Sequence, residues 1–514
     1  MQIEDGRNGE KHEIDKKQPF RRGGGQLAFR LAAIAFLALA ARPLLCATPP
    51  QLSDVRVALD STNRTVNVTY ALDREAIVTV AFEADGEPVG DHADSFASGD
   101  VNRVVPATDG TERRTIRWNA DAGWRGHSTD ALTARVTAWD AATPPDIMVV
   151  DVTCTNSVRY YVSTNALPEG GLTNDIYRMQ KLVLKKIAAK GVTWKAGSSG
   201  YNANEVLHDV TLTNDYYMSV FPFTQWQWVF TCGVNSSPAY FNGDLGNMRP
   251  VENVSYVMIR ETKYNAGDSE NPNYQYPNDP HPESLLGILR RETVLPFDLP
   301  SEMEWEYAAN CGYTYGKLGD GSTADEANMK KLGRIANTFT TGVPSAGTAV
   351  VGCYKPNAFG LYDMNGNVWE WCLDRYVADR TTLADGDTHG AVNTGGTGRV
   401  SRGGRYSSPW KNARSQYRWA MTDAKGPTYR GNNNTDTLGF RVCVHIGEGG
   451  LTPTALCTGT AVSANSISLQ TMPDVSAVAS DPASALETRT GTWLDSDAIA
   501  FRSDAPKGVF IIFR

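Results

Sequence analysis

Four oxygen donors lie within eight residues of each other in the stretch Asn357 to Trp371. Asp363 and Glu370 supply carboxylates, and Gly366 and Val368 can offer backbone carbonyls. An Asn-Gly pair inside this stretch is a tight-turn signal, because both residues tolerate positive φ. Calcium prefers oxygen ligands and accepts irregular geometry. The pattern is compatible with a calcium site, but the spacing alone favours a turn whose acids cap backbone amides and bind no metal.

Large apolar residues surround this turn, and they predict that it is pinned into a core. They are Phe359, Leu361, Met364, Val368, Trp369 and Trp371.

A second chemically rich segment runs from Arg405 to Asp436 and is dense in aromatic, Arg, Asn and Ser residues. Aromatic rings give contact area at little cost in rotamer entropy, and Asn and Ser adapt their hydrogen bonds, which suits recognition. The alternative is an ordered loop whose arginines act as structural clamps. The binding residues predicted here are Tyr406, Trp410, Arg414, Tyr417, Arg418, Trp419 and Arg430.

Common catalytic constellations do not occur in the sequence. The seven histidines show neither His-x-His nor His-Glu-x-x-His spacing, and the chain has no Walker loop, Gly-x-Ser-x-Gly elbow or dinucleotide fingerprint. The cysteines are scattered without a Cys-x-x-Cys pair, which argues against structural zinc. A net charge of −8, not concentrated in one block, argues against a nucleic-acid partner.

Four ordered motifs carry a family resemblance. They are residues 209–228, Leu299 to Ala309 (Leu-Pro-Ser-Glu-Met-Glu-Trp-Glu-Tyr-Ala-Ala), Asn357 to Trp371, and the pair Arg402-Gly403-Gly404 and Leu438-Gly439-Phe440-Arg441. Together they resemble the formylglycine-generating enzyme, or sulfatase-modifying factor, family over residues 150–447. The resemblance implies an α+β domain, the family's variant of the C-type-lectin-like fold, with short sheets and long loops.

The resemblance also bears on metals. It implies a structural calcium at Asp363, Gly366, Val368 and Glu370, and it makes Asn337 a candidate ligand of a further calcium. The family's oxidases bind copper through a cysteine pair between the two closing motifs. No cysteine occurs here from Leu373 to Val442, and the corresponding positions by count are Ser408 and Ala413. Without soft thiolates, copper is not expected.

The N-terminal region carries different signals. An apolar run of eleven residues, Leu31 to Ala41, follows a basic patch, which predicts a signal peptide over residues 1–47 cleaved near Ala47. The mature chain is then expected to be secreted or periplasmic, with no transmembrane anchor. Short β-rich runs over residues 51–147 predict an all-β sandwich similar to immunoglobulin or fibronectin type III domains. Residues 450–514 form a β-rich tail, either a small β-domain or an added strand.

Within residues 150–447, early strands are expected at Lys181 to Val192 and Val206 to Thr213, and helices from Phe223 and over Val254 to Tyr264. Residues 302–310 form the best-defined predicted helix, because Ser301 and Glu304 make a capping box. Its three glutamates are expected to serve as caps or on a solvated face.

The sequence favours a secreted, non-catalytic binding or scaffold module for a protein, peptide or glycan ligand. The alternatives are a formylglycine-generating oxidase that acts on a sulfatase cysteine, and a hypervariable ligand-binding protein of the diversity-generating type. The missing cysteine pair is the observation that favours the first.

Overall fold

The computed structural model describes residues 49–472, with gaps at 90–95, 141–142, 155–157, 243–245, 265–269, 339–346, 397, 422–436 and 447–459. The predicted signal peptide with its cleavage near Ala47, the predicted binding residue Arg430 and most of the predicted tail lie outside the described residues. Among the residues described, no helix is both long enough and apolar enough to cross a membrane.

Strands are numbered in chain order: β1 (Leu52–Asp60), β2 (Thr65–Leu72), β3 (Ala76–Ala84), β4 (Glu87–Pro88), β5 (Ala97–Gly99), β6 (Arg103–Val105), β7 (Arg114–Trp118), β8 (Ser128–Trp139), β9 (Ile147–Asp151), β10 (Val158–Tyr161), β11 (Lys181–Ile187), β12 (Thr193–Ala196), β13 (His208–Thr211), β14 (Tyr216–Ser219), β15 (Phe297–Asp298), β16 (Trp369–Arg375), β17 (Arg399–Arg402), β18 (Trp419–Met421), β19 (Leu438–Gly439), β20 (Cys443–His445), β21 (Thr460–Ser463) and β22 (Ile467–Gln470). The helices are α1 (Ala120–Gly123), α2 (Ile176–Met179), α3 (Gln225–Cys232), α4 (Tyr256–Arg260), α5 (Leu285–Thr293), α6 (Glu302–Asn310) and α7 (Glu326–Leu332).

The N-terminal part consists of two antiparallel sheets that share one apolar core. One sheet has the order β1-β2-β7-β5, and the other has the order β21-β8-β3-β4, with β6 also paired to β3 and β22 to β8. In β2 every second residue is buried, as expected for a strand with one face on a core. Val68 from the first sheet and Val80 and Val136 from the second belong to the same buried cluster. The strands predicted in residues 51–147 are therefore present, and the likeness to immunoglobulin domains stays a prediction.

Two strands from the far end of the chain complete this double sheet. Val462 of β21 pairs with Val136 of β8, and Ile467 of β22 pairs with Leu132 of the same strand. The central domain, β9 to β20, is thus inserted between β8 and β21. Of the two alternatives for the tail, its described part is added strand rather than a separate domain.

The central domain is built on a six-stranded sheet, β10-β9-β11-β14-β20-β15, and a four-stranded sheet, β18-β17-β16-β19. In the second sheet β16 and β19 are parallel, while its other pairs are antiparallel. β12 and β13 form a separate hairpin. The long strands predicted from Lys181 and Val206 are shorter than expected, since β11 ends at Ile187 and β13 begins at His208.

Local signals located the helices well where a cap was readable. Helix α6 spans the predicted residues, and the capping box of Ser301 and Glu304 is formed. Helix α3 begins after Thr224, which makes a second capping box with Gln227. The helix predicted over Val254 to Tyr264 is shorter, because Ser255 caps α4 and the helix ends at Arg260.

Candidate functional site

The turn within Asn357 to Trp371 joins the centre of the domain to residues 403–421, which we name the closing segment. Gly366 has a φ of +91°, and a Cβ on it would meet the carbonyl oxygen of Arg334 at 2.0 Å. The Gly366 amide donates to the carbonyl of Gly403 at 2.7 Å, and the Asn365 side chain donates to that of Ala413 at 2.7 Å. Val368 is buried, as the apolar flanks predict. The turn requires glycine at this position and holds the segment that follows β17.

Asp363 is one of the predicted calcium ligands, and it is buried with one oxygen uncommitted. Its Oδ2 accepts a hydrogen bond from the Gly352 amide at 2.7 Å. Its Oδ1 receives no hydrogen bond of normal geometry from the described residues, although the side chain of Asn367 is near enough to lower the pKa. Burial above all raises the pKa of Asp363 to about 6, and the charge of Glu370 adds to this. An orphaned carboxylate oxygen close to a second carboxylate fits a cation.

Glu370, the second predicted carboxylate, already binds protein donors. Its Oε2 accepts from Arg441 Nε at 2.6 Å and from Trp305 Nε1 at 2.6 Å, and its Oε1 accepts from Arg441 Nη2 at 2.8 Å. A carboxylate has about four lone-pair sites, so one site on Oε1 remains for a metal. The predicted ligand Asn337 is exposed, with a φ of +58°, two positions before the gap at 339–346. Among the described residues, no three His, Cys, Asp or Glu side chains gather as a metal cluster.

Behind the closing segment lies a set of buried ion pairs, which we name the charged layer. It is made up of Arg380, Arg402, Arg418, Glu302, Glu306, Asp374, Asp387 and His208. Three guanidinium groups there face four carboxyl groups. Buried charges are costly unless they are paired and hydrogen-bonded, and each of these has at least one charged partner.

Glu302, at the start of α6, is the centre of the charged layer. Arg418 binds it with two hydrogen bonds, Nε to Oε1 at 2.6 Å and Nη2 to Oε2 at 2.9 Å. Arg380 Nη1 lies 3.1 Å from Oε2, and Arg402 Nε lies 3.3 Å from Oε1. Burial by itself would raise the pKa of Glu302, but the three guanidinium groups lower it to about 2. Glu302 is therefore a permanent anion that ties three arginines together.

His208 supplies the fourth positive charge of the layer. Its Nε2 lies 2.9 Å from Asp387 Oδ2, and its Nδ1 lies 2.7 Å from the carbonyl oxygen of Val206. Both oxygens only accept, so both ring nitrogens must carry hydrogen to satisfy the two contacts. Burial lowers the pKa of His208, but Asp387 and the Val206 carbonyl outweigh it and the pKa is raised overall. The geometry favours the imidazolium form.

The helix that carries Glu302 differs from the expected one. All nine residues of α6 are buried, including Glu302, Glu304 and Glu306. Glu304 is a cap as expected, but the predicted solvated face is wrong, because Glu306 binds Arg402 and the Gly197 amide. Neighbouring arginines make burial of these acids possible.

Two of the predicted binding residues are structural clamps. Arg418 is held by Glu302, as described above. Arg414 donates to both oxygens of Glu205 at 2.9 Å, and its guanidinium lies 3.6 Å from the centre of the Tyr201 ring. Both side chains are buried. They support the closing segment from behind.

Tyr417 and Trp419, two other predicted binding residues, form an aromatic wall with Trp369. Trp419 is 42% exposed, and its ring stacks on Tyr417 with centroids 6.4 Å apart and planes 16° apart. Both rings also pack against the buried Trp369, at 5.8 Å from Tyr417 and 6.1 Å from Trp419. Tyr406 and Trp410 are half-buried; Tyr406 packs edge-on to Phe241 at 5.3 Å.

A cleft of about 120 Å³ opens beside this wall. Its lining residues are Trp369, Arg405, Ser407, Ser408, Pro409, Asn412, Trp419 and Met421. Its lining combines aromatic and polar side chains, a mixture that ligand-binding pockets also use. We name it the aromatic cleft.

The sequence profile of the sulfatase-modifying factor enzyme 1-like domain matches residues 180–446, more than half of the chain. The chain belongs to this family. The resemblance carried by the four motifs is thereby confirmed, and the mixed sheets with few helices fit it.

Curated relatives include formylglycine-generating enzymes. The one from Streptomyces coelicolor is 34% identical over 151 residues, 28% of this chain and 45% of that enzyme. The serine/threonine-protein kinase pkn1 of Chlamydia pneumoniae is 35% identical over 275 residues, 52% of this chain and 39% of the kinase. The match thus spans less than half of either relative. Among solved structures, the Treponema denticola variable protein 1 aligns with a TM-score of 0.39 and 24% identity over 51% of this chain and 95% of that one.

The residues of the aromatic cleft do not fit the copper that the family's oxidases use. Ser408 lines the cleft and Ala413 is buried beside it, where the family resemblance places the two cysteines. Among the described residues that line the cleft, Met421 supplies a thioether and none supplies a thiolate. Cys372 and Cys443 are buried, and burial raises the pKa of each thiol well above its usual value. Cu(I) prefers thiolate ligands, so this donor set is a poor site.

Several residues of the site have no recognisable signature in the sequence. Arg405 and Asn412 belong to the predicted segment but were not singled out, and Trp369 was expected only as core. Glu205 lies in a loop without any motif, and its link to Arg414 spans 209 residues. The sequence gives one signal: residues 399–421 contain six basic residues and no acidic ones. Acidic partners for these side chains must therefore come from other parts of the chain.

Proposed function

We propose that this protein is an exported binding module that keeps the sulfatase-modifying factor fold and binds a ligand in the aromatic cleft. The single observation that carries the proposal is the exchange at the cleft: Ser408 and Ala413 stand where the oxidases have their cysteine pair, and an exposed aromatic wall stands beside them. A polar and aromatic cleft can bind without any group that reacts.

Preorganisation supports a binding role. Arg414 and Arg418 fix the closing segment through bidentate bonds to Glu205 and Glu302. Trp419 is held by stacking on Tyr417 and Trp369. A ligand then meets a surface that is already ordered, so little conformational entropy is lost on binding.

A formylglycine-generating oxidase is the second candidate, favoured by the 34% identity to the Streptomyces coelicolor enzyme. The two functions are separated by supplying the full chain with copper, oxygen and a cysteine-containing sulfatase peptide. We expect no conversion of cysteine to aldehyde by mass spectrometry, with the Streptomyces enzyme as the positive control. Turnover at the rate of the control would overturn the binding proposal.

Binding is tested with glycan and peptide arrays probed with the natural chain and with Trp419→Ala. Tyr315→Ala is the matched control, because Tyr315 is also an exposed ring, at 39%. We expect array signals that are lost in the first variant and kept in the second. Signals that survive Trp419→Ala would remove the aromatic cleft from the function.

We further propose one structural calcium held by Asp363, Glu370 and the carbonyls of Gly366 and Val368, with Asn337 as a candidate ligand of another. The orphaned Oδ1 of Asp363 supports it. Bound calcium would neutralise the buried acids and raise stability by about 2.7 kcal/mol at a hundredfold excess over its dissociation constant. Calcium should raise the melting temperature of the natural chain and not that of Asp363→Ala; equal melting curves for the natural chain with and without calcium would contradict the site.

Export and architecture complete the proposal. The mature chain begins near Ala47, and the double sheet acts as an immunoglobulin-like spacer for the central domain. Amino-terminal sequencing of material recovered outside the cytoplasm checks the first point, since an intact Met1 there would contradict cleavage.

A further inference from the structure

Arg418, in the closing segment, is bound by two loops that are far apart in the sequence. Its Nη1 donates to the carbonyl of Asn204 at 2.9 Å and to the carbonyl of Ala378 at 3.1 Å. Asn204 belongs to the loop before β13, and Ala378 belongs to the loop after β16. Trp419 is the next residue along the chain, so a change in the spacing of the two loops would reach the aromatic wall through Arg418.

His208 connects the same two loops. Its Nδ1 lies 2.7 Å from the carbonyl oxygen of Val206, in the loop before β13, and its Nε2 lies 2.9 Å from Asp387 Oδ2, in the loop after β16. A neutral hydrogen bond from Asn204 Nδ2 to the Tyr376 hydroxyl, at 2.8 Å, joins the loops as well. Of these two connections, the one through His208 depends on a proton that the ring can lose.

The proton on His208 balances the charged layer. With its carboxyl groups ionised, the layer holds four negative charges, and three guanidinium groups and the imidazolium supply four positive ones. Arg380 carries the effect onward, because it donates to both oxygens of Asp387 and lies 3.1 Å from Glu302, the partner of Arg418. Loss of the proton leaves an excess negative charge in a buried place, which is costly.

A neutral His208 ring cannot satisfy both of its contacts. Neutral imidazole has one N–H group, and its other nitrogen carries a lone pair. Whichever nitrogen keeps the hydrogen, the other one directs its lone pair at an oxygen that only accepts, that of Val206 or that of Asp387. Relief requires one of the two loops to move, and these are the loops that bind Arg418.

We propose that His208 is a pH-sensitive latch, whose protonated ring keeps the two loops together around Arg418 and whose deprotonation loosens the closing segment. The side chain is 13% exposed, so the ring can exchange its proton with solvent. The effect on the closing segment follows from these contacts. Its consequence, weaker binding in the aromatic cleft at higher pH, rests on the proposed function.

The charges around the ring fix the direction of the switch. Burial lowers the pKa of His208, but Asp387, the Val206 carbonyl and Glu306 raise it overall, to above its ordinary 6.5. Ala196, which lies opposite His208 in the β12–β13 hairpin, is uncharged. The charged side chains that line the cavity of about 10 Å³ beside the ring are Glu205, Glu306, Arg380 and Arg418. The latch is therefore closed at pH 6 and opens as the pH rises through the folded pKa.

Hydrogen exchange followed by mass spectrometry tests the latch in the full chain. The reporter is β18, compared at pH 6 and pH 8.5 after correction for the chemical exchange rate, and β2 of the double sheet is the internal reference. In the natural chain the protection of β18 relative to β2 should fall about tenfold at pH 8.5, the effect of losing one hydrogen bond to a charged group. His208→Lys keeps its charge and should stay protected, whereas His208→Gln should be equally unprotected at both pH values.

Two other histidines provide matched controls. His445 pairs with Glu304 of α6 at 2.9 Å, and His389 is 61% exposed beside Asp385. His445→Gln and His389→Gln should keep the pH dependence of the natural chain. Circular dichroism at pH 6 verifies that each variant is folded.

The outcomes separate the latch from the binding function. Equal protection of β18 at both pH values in the natural chain overturns the latch, and so does a pH dependence that His208→Lys retains. The glycan and peptide arrays are then probed at the same two pH values, where signals should be weaker at pH 8.5. Equal array signals overturn the link to the cleft but not the latch, and an array without signals at either pH counts against the binding function alone.

Discussion

The double sheet and the central domain differ in the side chains that they bury. The core of the double sheet is apolar, with Val68, Val80, Trp118 and Val136 meeting across the two sheets. The central domain also has apolar clusters, but next to its surface site it buries the charged layer centred on Glu302. Apolar burial stabilises in proportion to area and has no direction. Ion pairs with bidentate geometry add direction.

This difference between the two cores indicates that the charged layer has a role other than stability. Removing charges from water is expensive, and replacing a buried ion pair with well-packed apolar residues is often neutral or stabilising. The charged layer is therefore a poor choice for stability alone. We infer that it is kept because Arg402 and Arg418 fix the segment that carries the aromatic cleft. Among the described residues of the double sheet, no charged side chain is buried.

The largest expected effect comes from removing the central anion. Glu302→Gln leaves three arginines short of charge in a buried place, and we expect the central domain to lose about 3–5 kcal/mol in its free energy of unfolding. Urea denaturation followed by tryptophan fluorescence measures it. The control is Glu283→Gln, whose surface pair with Lys263 spans 3.2 Å and contributes about 1 kcal/mol or less. Equal losses in the two variants would refute the comparison.

The next largest effect is expected from conservative substitutions, which should cost more stability in the charged layer than in the apolar core of the double sheet. Arg418→Lys keeps the charge but cannot form the bidentate bond to Glu302, and we expect a loss of about 2 kcal/mol. Ile116→Leu, at a fully buried position of the double sheet, should cost less than about 1.5 kcal/mol. Denaturation curves of both variants decide it. If Ile116→Leu loses more free energy of unfolding than Arg418→Lys, the directional geometry of its ion pairs is not what distinguishes the charged layer.

The pH dependence of stability tests the protonation of His208. Its pKa is raised from 6.5 in the folded protein, so its stabilising contribution is complete below that value and is lost as the pH rises through the folded pKa. Asp387, Glu306 and the Val206 carbonyl raise this pKa, and Arg380 binds the same Asp387 oxygen as His208. Between pH 6 and pH 8.5 the natural chain should lose more free energy of unfolding than His208→Gln. Parallel curves would contradict the imidazolium assignment.

The smallest change in stability is expected on the cleft itself. Trp419→Ala should lower the free energy of unfolding by about 1 kcal/mol or less, since the ring is 42% exposed but stacks on Tyr417 and Trp369. A thermal melt measures this. A large loss would mean that the aromatic wall holds the fold together instead of presenting a surface.

Elements with a local signature could be predicted from the sequence. The capping box of α6 depends on Ser301 and Glu304, three residues apart, and the turn at Gly366 depends on its own backbone conformation. The strands of the double sheet follow from alternation, as in β2. Each of these is decided by neighbours in the chain.

The charged layer could not be predicted in this way. Arg418 and Glu302 are 116 residues apart, and Arg402 and Glu306 are 96 apart. A basic residue in a loop has the same local signature whether it faces water or a buried acid. The segment from Arg405 was therefore recognised as important, but its arginines could not be sorted from its surface rings. The pairing of β21 with β8 could not be predicted for the same reason, since more than three hundred residues of chain separate the two strands.

The insertion of the central domain has a mechanical consequence. Chain leaves β8 after Trp139 and returns at Thr460, which pairs with Ala138, so both connections emerge from one end of adjacent strands. Ile77 of β3 packs into the core of the central domain, and the Tyr160 amide donates to the carbonyl of Asn102. Tension on a ligand bound in the cleft would pull β8 and β21 in the same direction, so it would not peel one strand away from the other. The cleft is thus carried on a double tether that resists tension better than a single flexible linker.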